Sequence, residues 1–206
     1  MRGYVAGGLV GLNDGGTVSR SHASIDLPNF GYAFMSIGGL VGRNDHGTIS
    51  QSYATGDVTG GKRSGVGGLV GYNYHGLVEQ SYALGSAAAS PHDARHGSEV
   101  GGLVGHDVGT IAQSYSTGPS SAGMQSYTGG LIGAQCCHPG FTTASCWDTT
   151  TSGSSFGCGT GDCSGVTGLT DAELKSGLPA GFDPAVWGSS PAVNGGLPYL
   201  LAQPPQ

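Results

Sequence analysis

Apolar residues along this chain come in short bursts separated by polar, glycine-rich stretches, and the bursts recur in the same order. The segment GGLVGRNDHGTISQSYATGDV, from Gly38 to Val58, shows the unit. Leu40-Val41 is followed by the polar Asn44-Asp45-His46-Gly47, then Thr48-Ile49-Ser50, then Ser52-Tyr53-Ala54. Copies start at Gly7, Gly38, Gly67, Gly101 and Gly129, so their starts are 31, 29, 34 and 28 residues apart. A period near 30 residues marks an architecture of stacked repeats. The fifth copy diverges: Ser145-Cys146-Trp147 stands 16 residues after its leading glycine, where the counterparts stand 13 or 14 after theirs.

Small and branched residues alternate through each GGLVG, and with the Thr-Ile-Ser segment this predicts short strands. The Asn/Asp and Gly between them predict turns with positive φ, and a third short strand around Val58 returns the chain to the next copy. One copy then makes one coil. With neighbouring strands about 4.8 Å apart, equivalent residues lie above one another. Leu9, Leu40, Leu69, Leu103 and Leu131 form one core ladder, and Val10, Val41, Val70, Val104 and Ile132 another. Asn13, Asn44, Asn73 and Asp107 stack at the turn and share side-chain amide hydrogen bonds. The fold expected is all-β, a parallel β-solenoid of about five coils over residues 1–150, with a small cap at 151–206. In that cap, Thr170-Asp171-Ala172-Glu173 is a capping-box pattern opening a short helix through about Ser176. The cap is expected to pack on the last coil through Phe182, Trp187, Tyr199 and Leu200. The first coil has no such cover, which predicts either a longer array or self-association through that edge.

Composition removes several alternatives. The chain has 42 glycines and 10% charged residues. A collagen period is absent, and apolar residues at fixed positions argue against disorder. A formal charge of −6 gives no footprint for nucleic acid. No apolar run reaches the ~20 residues of a membrane-spanning helix, and no leader pattern opens the chain. The expectation is a chain that starts after an export signal, or an excised piece with an added Met1. Cys136, Cys137, Cys146, Cys158 and Cys163 all lie in the last third. They read as one or two disulfides stapling an irregular end, with a zinc site drawn from the same residues and His138 as the alternative.

The pattern GGLVG-x-N-x-x-G-x-I-x-x-S-Y-A-x-G is matched most fully by the copies at Gly38 and Gly67. It resembles the GLUG motif of large secreted bacterial surface proteins, among them adhesin-like and filamentous-hemagglutinin-like chains. The resemblance spans Gly7 to about Trp147. It implies an exported β-solenoid with an adhesive or scaffolding role at the cell surface, and it supplies no catalytic residues.

Candidate chemistry is sparse. The longest insertion between copies, Gly85 to Val100, gathers His92, Asp93, Arg95, His96 and Glu99. Insertions in solenoids fall on loops that often form the binding face, so these residues are ligand candidates. Tyr53, Tyr82 and Tyr115, with His22, make an aromatic column. Turned inward it is core; turned outward it is a strip for sugar rings. His92 and His96 are spaced as in a zinc helix, but Pro91 points to a loop. "GSSFG" at 153–157 fits a nucleophile-elbow pattern by letters alone. His46 and His75 occupy matching turns. Asp14 and Asp45 match too, without the arrangement that glycoside cleavage requires. Thr17, Thr48 and Thr110 align as an ice-binding row would, and Leu77 interrupts them. No cofactor or metal is called for. The reading is a non-catalytic surface, adhesive or scaffold module that binds a glycan or cell-surface ligand or associates with itself. A polysaccharide-acting enzyme and an ice-binding solenoid are the alternatives.

Overall fold

A computed structural model describes residues 4–90, 97–135 and 141–205. The chain is a parallel β-solenoid: four full turns lead from Gly7 to Gly129, and the fifth copy begins the next. Each turn gives strands to successive flanks. The first sheet stacks Val5–Gly7, Ser36–Gly38, Gly65–Gly67, Glu99–Gly101 and Tyr127–Gly129. The second is built on Val10–Asp14, Val41–Asp45, Val70–Glu79, Val104–Ala112 and Ile132–Gln135, and Cys158–Thr160 is added at its end. The third holds His22–Ala23, Tyr53–Ala54, Tyr82–Ala83, Tyr115–Ser116, Ser145–Asp148 and Val166–Leu169. A short fourth sheet of Val58–Gly60, Ala87–Ala89 and Ser120–Ser121 closes the circuit.

The ladders form as the period requires. Leu40, Leu69, Leu103 and Leu131 are fully buried, as are Val41, Val70, Val104 and Ile132. Each such side chain is worth about 1.5–3 kcal/mol when buried, a gain that exists only once a neighbouring coil covers it. Leu9, at the edge of the first coil, is 52% exposed. The doubled glycines bring coils into close approach: a Cβ on Gly39 would lie 2.1 Å from the Gly68 carbonyl oxygen and 2.9 Å from the Ala54 methyl.

Polar residues of the motif tie coil to coil. Asn13 Nδ2 donates to Asn44 Oδ1 (2.8 Å), Asn44 to Asn73 (2.9 Å) and Asn73 to Asp107 Oδ1 (2.8 Å). Gln135 Nε2 reaches Asp107 Oδ2 from the far side at 3.2 Å. In the Ser-Tyr-Ala segment, the Ser21, Ser52, Ser81 and Ser114 amides each donate to the serine hydroxyl of the next coil, at 3.1–3.2 Å. The residue before each serine, Arg20, Gln51, Gln80, Gln113 or Ala144, takes the left-handed conformation with φ of 45–47°. That conformation turns the corner without a loop. The turns expected between the first two strands are likewise corners. In the third and fourth coils Val70–Glu79 and Val104–Ala112 run through them as single strands, with a register shift between Tyr74 and Leu77.

Residues 151–205 divide in two. Cys158–Thr160 and Val166–Leu169 extend the second and third sheets, a Cys158–Cys163 disulfide joins that stretch, and Trp147, Cys163 and Val166 pack against the core at its end. Cys146 is a buried free thiol, and Cys136 and Cys137 lie outside the described residues. The rest, expected on the last coil, touches it at Ala144, Cys146 and Leu169 and runs on along the flank of the third sheet. Its helix, Asp171–Lys175, has the expected capping box: Glu173 N–H donates to Thr170 Oγ1 (3.2 Å), and Thr170 N–H to Glu173 Oε2 (2.8 Å). Leu174, Phe182, Trp187 and Leu200 then bury one cluster with Tyr53, Tyr82 and Tyr115.

Candidate functional site

In the third sheet the side chains alternate between two sides. Ala23, Ala54 and Ala83 point into the main core, and the neighbouring His22, Tyr53, Tyr82 and Tyr115 point outward. Their rings stack at centroid separations of 5.0, 4.8 and 5.1 Å, with interplanar angles of 6–7°. The column is therefore outward and covered at once. Tyr82 and Tyr115 are fully buried and Tyr53 is 7% exposed, because the C-terminal segment lies on them. As ligand residues on an open face, Tyr82 and Tyr115 are corrected: Trp187 lies against both rings, and the Tyr115 hydroxyl donates to the Pro198 carbonyl at 2.6 Å. Asn194 Nδ2 donates to that same hydroxyl at 3.0 Å. Burial raises all three phenol pKa values above the ordinary one.

Of the insertion candidates, His92, Asp93, Arg95 and His96 lie outside the described residues. Glu99 does not stand alone. It opens a strand of the first sheet, where it aligns with Gly65 and, beyond it, Ser36. The corresponding outward column of the second sheet reads Leu12, Arg43, Tyr72, His106 and Ala134. These two columns meet at a corner. His106 Nδ1 and Glu99 Oε2 are 2.5 Å apart, the His106 and Tyr72 rings meet edge to face at 4.6 Å, and the Arg43 guanidinium lies 4.8 Å from the Tyr72 centroid. Arg43 is held there by Asp45, through contacts of 2.7 and 3.1 Å. Burial opposes ionisation of Asp45, but the hydrogen bonds and charges of Arg43 and His46 together outweigh it and hold its carboxyl below the usual value.

Gly65 makes this corner a groove. Where its neighbours in the column carry side chains it carries none, and a Cβ there would sit 2.9 Å from the Gly71 carbonyl oxygen. The gap is a cavity of about 200 Å³ over Gly65, walled by Tyr72, Glu99 and His106 and, on the loop side, by Phe34 and Arg63. The Arg63 guanidinium lies 5.2 Å from the Phe34 ring centroid, and both residues are held at positive φ, 55° and 59°. An aromatic ring, a guanidinium and a hydrogen-bonded carboxylate–imidazole pair thus converge on one hollow. Arg43, Tyr72 and His106 were passed over in sequence because they fill the unspecified position of GGLVG-x-N. The legible signal was that this position changes chemistry at every copy while its neighbours repeat.

The other candidates separate. His46 and His75 stand one coil apart with ring centroids at 5.3 Å, and no group of three or more metal-ligating side chains occurs among the described residues. Residues 153–157 form a loop that leads directly into the strand Cys158–Thr160, not into a helix. In the threonine row, Leu77 stands between Thr48 and Thr110, and Phe141 follows them, 63% exposed. No helix of the described residues is long and apolar enough to cross a membrane.

No curated protein and no solved structure matches the chain. The family model of the GLUG motif matches at residues 35–59 and again at 63–88, two consecutive turns of the solenoid that bring Ser36, Gly65 and Tyr72 to the groove.

Proposed function

We propose that this chain is a non-catalytic adhesive module of an exported bacterial surface protein, and that the groove over Gly65 holds a terminal sugar ring of a surface glycan. One observation carries the reading: a repeat that otherwise spends its residues on register places Tyr72, Glu99, His106 and Arg63 around a hollow of about 200 Å³. Aromatic side chains offer an apolar body beside polar groups, which suits the mixed surface of a pyranose ring. The Glu99–His106 pair offers acceptor and donor atoms for vicinal hydroxyls. A hollow this small, below the ~300 Å³ of whole-ligand pockets, suits recognition of one residue at a chain end. A rigid stack of coils sets the groove on fixed strands, so little ordering is required on binding.

The test is a broad glycan array probed with the wild type, Tyr72→Ala and Glu99→Gln. The expected result is a defined subset of glycans retained by the wild type and weakened about tenfold or more, some 1.4 kcal/mol, in both variants. Absence of any bound glycan, or equal binding by all three proteins, overturns the proposal. The hydrogen-bonded Glu99–His106 pair also favours a second reading, acid–base cleavage of a polysaccharide. Release of new chain ends from neutral or acidic polymers, lost in Glu99→Gln, would establish it.

A further inference from the structure

The aromatic column is covered unevenly along its length. In the third coil the residue after the Tyr-Ala pair is Leu84, which packs into the cluster formed with Trp187 and Leu200. The equivalent positions in the first two coils are Ser24 and Thr55, as the matching backbone bonds of Thr55 and Leu84 to Ala23 and Ala54 show. The fourth-coil counterpart, Thr117, is buried; it is at Ser24 and Thr55, exposed and half-buried, that the C-terminal segment leaves the sheet open. A cleft of about 430 Å³ opens there, between His22 and Tyr53 on one side and Pro204 and Pro205 on the other.

We infer that this cleft is a second ligand site, for a neutral saccharide. Its size falls within the ~300–1,000 Å³ of small-ligand pockets. Its polar groups are the Ser24, Tyr53 and Thr55 hydroxyls, the Gln203 amide and the His22 imidazole, and no Asp, Glu, Lys or Arg lines it among the described residues. Such a lining matches a ligand rich in hydroxyls and poor in charge. The stacked His22 and Tyr53 rings and the two prolines supply the apolar surfaces between which a sugar ring is held. Gln203 is already oriented: its Nε2 donates to the Arg20 carbonyl, and its Oε1 is buried without a hydrogen-bond partner. A buried acceptor left in that state is costly, so a turn of the amide that brings it to a ligand hydroxyl in the cleft is favoured. The cleft shares no residue with the groove over Gly65 and stands or falls independently of it. Together the two sites would make one chain bivalent, which multiplies retention on a dense glycan surface.

Amide chemical shifts of the whole chain, titrated with cellobiose, lactose and maltose, test the inference. The expected result is that at least one of these sugars, at millimolar concentration, shifts the amides of residues 22–24, 53–55 and 203, and does so equally in Tyr72→Ala. Thr55→Leu, which copies the Leu84 environment into the second coil, should keep the folded spectrum and weaken binding about tenfold or more. Gln203→Ala, at a half-buried position of the C-terminal segment, should weaken it in the same direction. The site is overturned if none of the three sugars shifts these amides, or if affinity is unchanged in both Thr55→Leu and Gln203→Ala.

Discussion

Replacing Asn44 by alanine tests whether the interior amide ladder holds coil to coil. Asn44 is fully buried. It donates to the Gly47 carbonyl at 3.0 Å and to Asn73 Oδ1 at 2.9 Å, and accepts from Asn13 Nδ2 at 2.8 Å. Truncation removes three hydrogen bonds, each worth about 1 kcal/mol net, and strips buried partners of their bonds, so the expected loss is about 3–5 kcal/mol. Asn13 has the same chemistry at the edge of the stack. It donates to Gly16 at 3.1 Å and to Asn44, with no coil stacked beyond it among the described residues. Asn13→Ala loses two bonds where water can replace part of what is lost, and about 1–2 kcal/mol is expected. Urea unfolding followed by far-ultraviolet circular dichroism measures both, from midpoints compared at a common slope. The contrast between positions decides the matter. Equal losses in the two variants would refute the idea that the ladder acts through burial between coils.

The other expectations concern single groups. Burial, set against bonds from Asn73, Gly109 and Gln135, raises the Asp107 pKa above its ordinary value. Its stabilising contribution is therefore complete at acid pH, where the carboxyl is protonated in folded and unfolded chains alike, and is lost as pH rises through the folded value. Asp107→Asn, which makes the ladder uniform, should gain in melting temperature relative to wild type as pH is raised from that range, and a pH-independent difference would contradict this. Burial and the charge of Asp148 push the Cys146 thiol up to about 12, so iodoacetamide at pH 8 should leave the Cys146 peptide unmodified until denaturant is added, as read by mass spectrometry. Tyr115→Phe removes the bond to Pro198, and faster hydrogen exchange at Trp187 and Leu200, with about 1–2 kcal/mol lost, is expected while the coil amides keep their protection.

The register of the solenoid was legible because one spacing recurs in every column. The 31-, 29- and 34-residue steps between leading glycines are the sequence separations of the Asn13–Asn44, Asn44–Asn73 and Asn73–Asp107 bonds. Leu40 and its counterparts could be placed inside for the same reason. The tyrosines could not be assigned from period alone. Tyr53 and Ala54 face opposite sides of their sheet, and both are buried, one by the coils and the other by a segment with no repeat to place it. The groove escaped notice on different grounds. It is a juxtaposition across two sheets, of Glu99 with His106 seven residues later and with Tyr72 from the preceding coil. No linear motif records it.

The lengthwise course of the C-terminal segment changes what kind of folding unit this is. Coils in a stack contact only their neighbours, so an array of them can fray one at a time. Here Gln203 contacts Arg20, 183 residues away, after the same segment has touched Tyr115 and Tyr82. Loosening any coil on that flank costs contacts shared with the others, so melting should proceed as one transition. During synthesis the coils can stack as they emerge, yet the tyrosine flank stays wet until residues 174–203 follow. A segment made after the coils thus completes a coil made long before it.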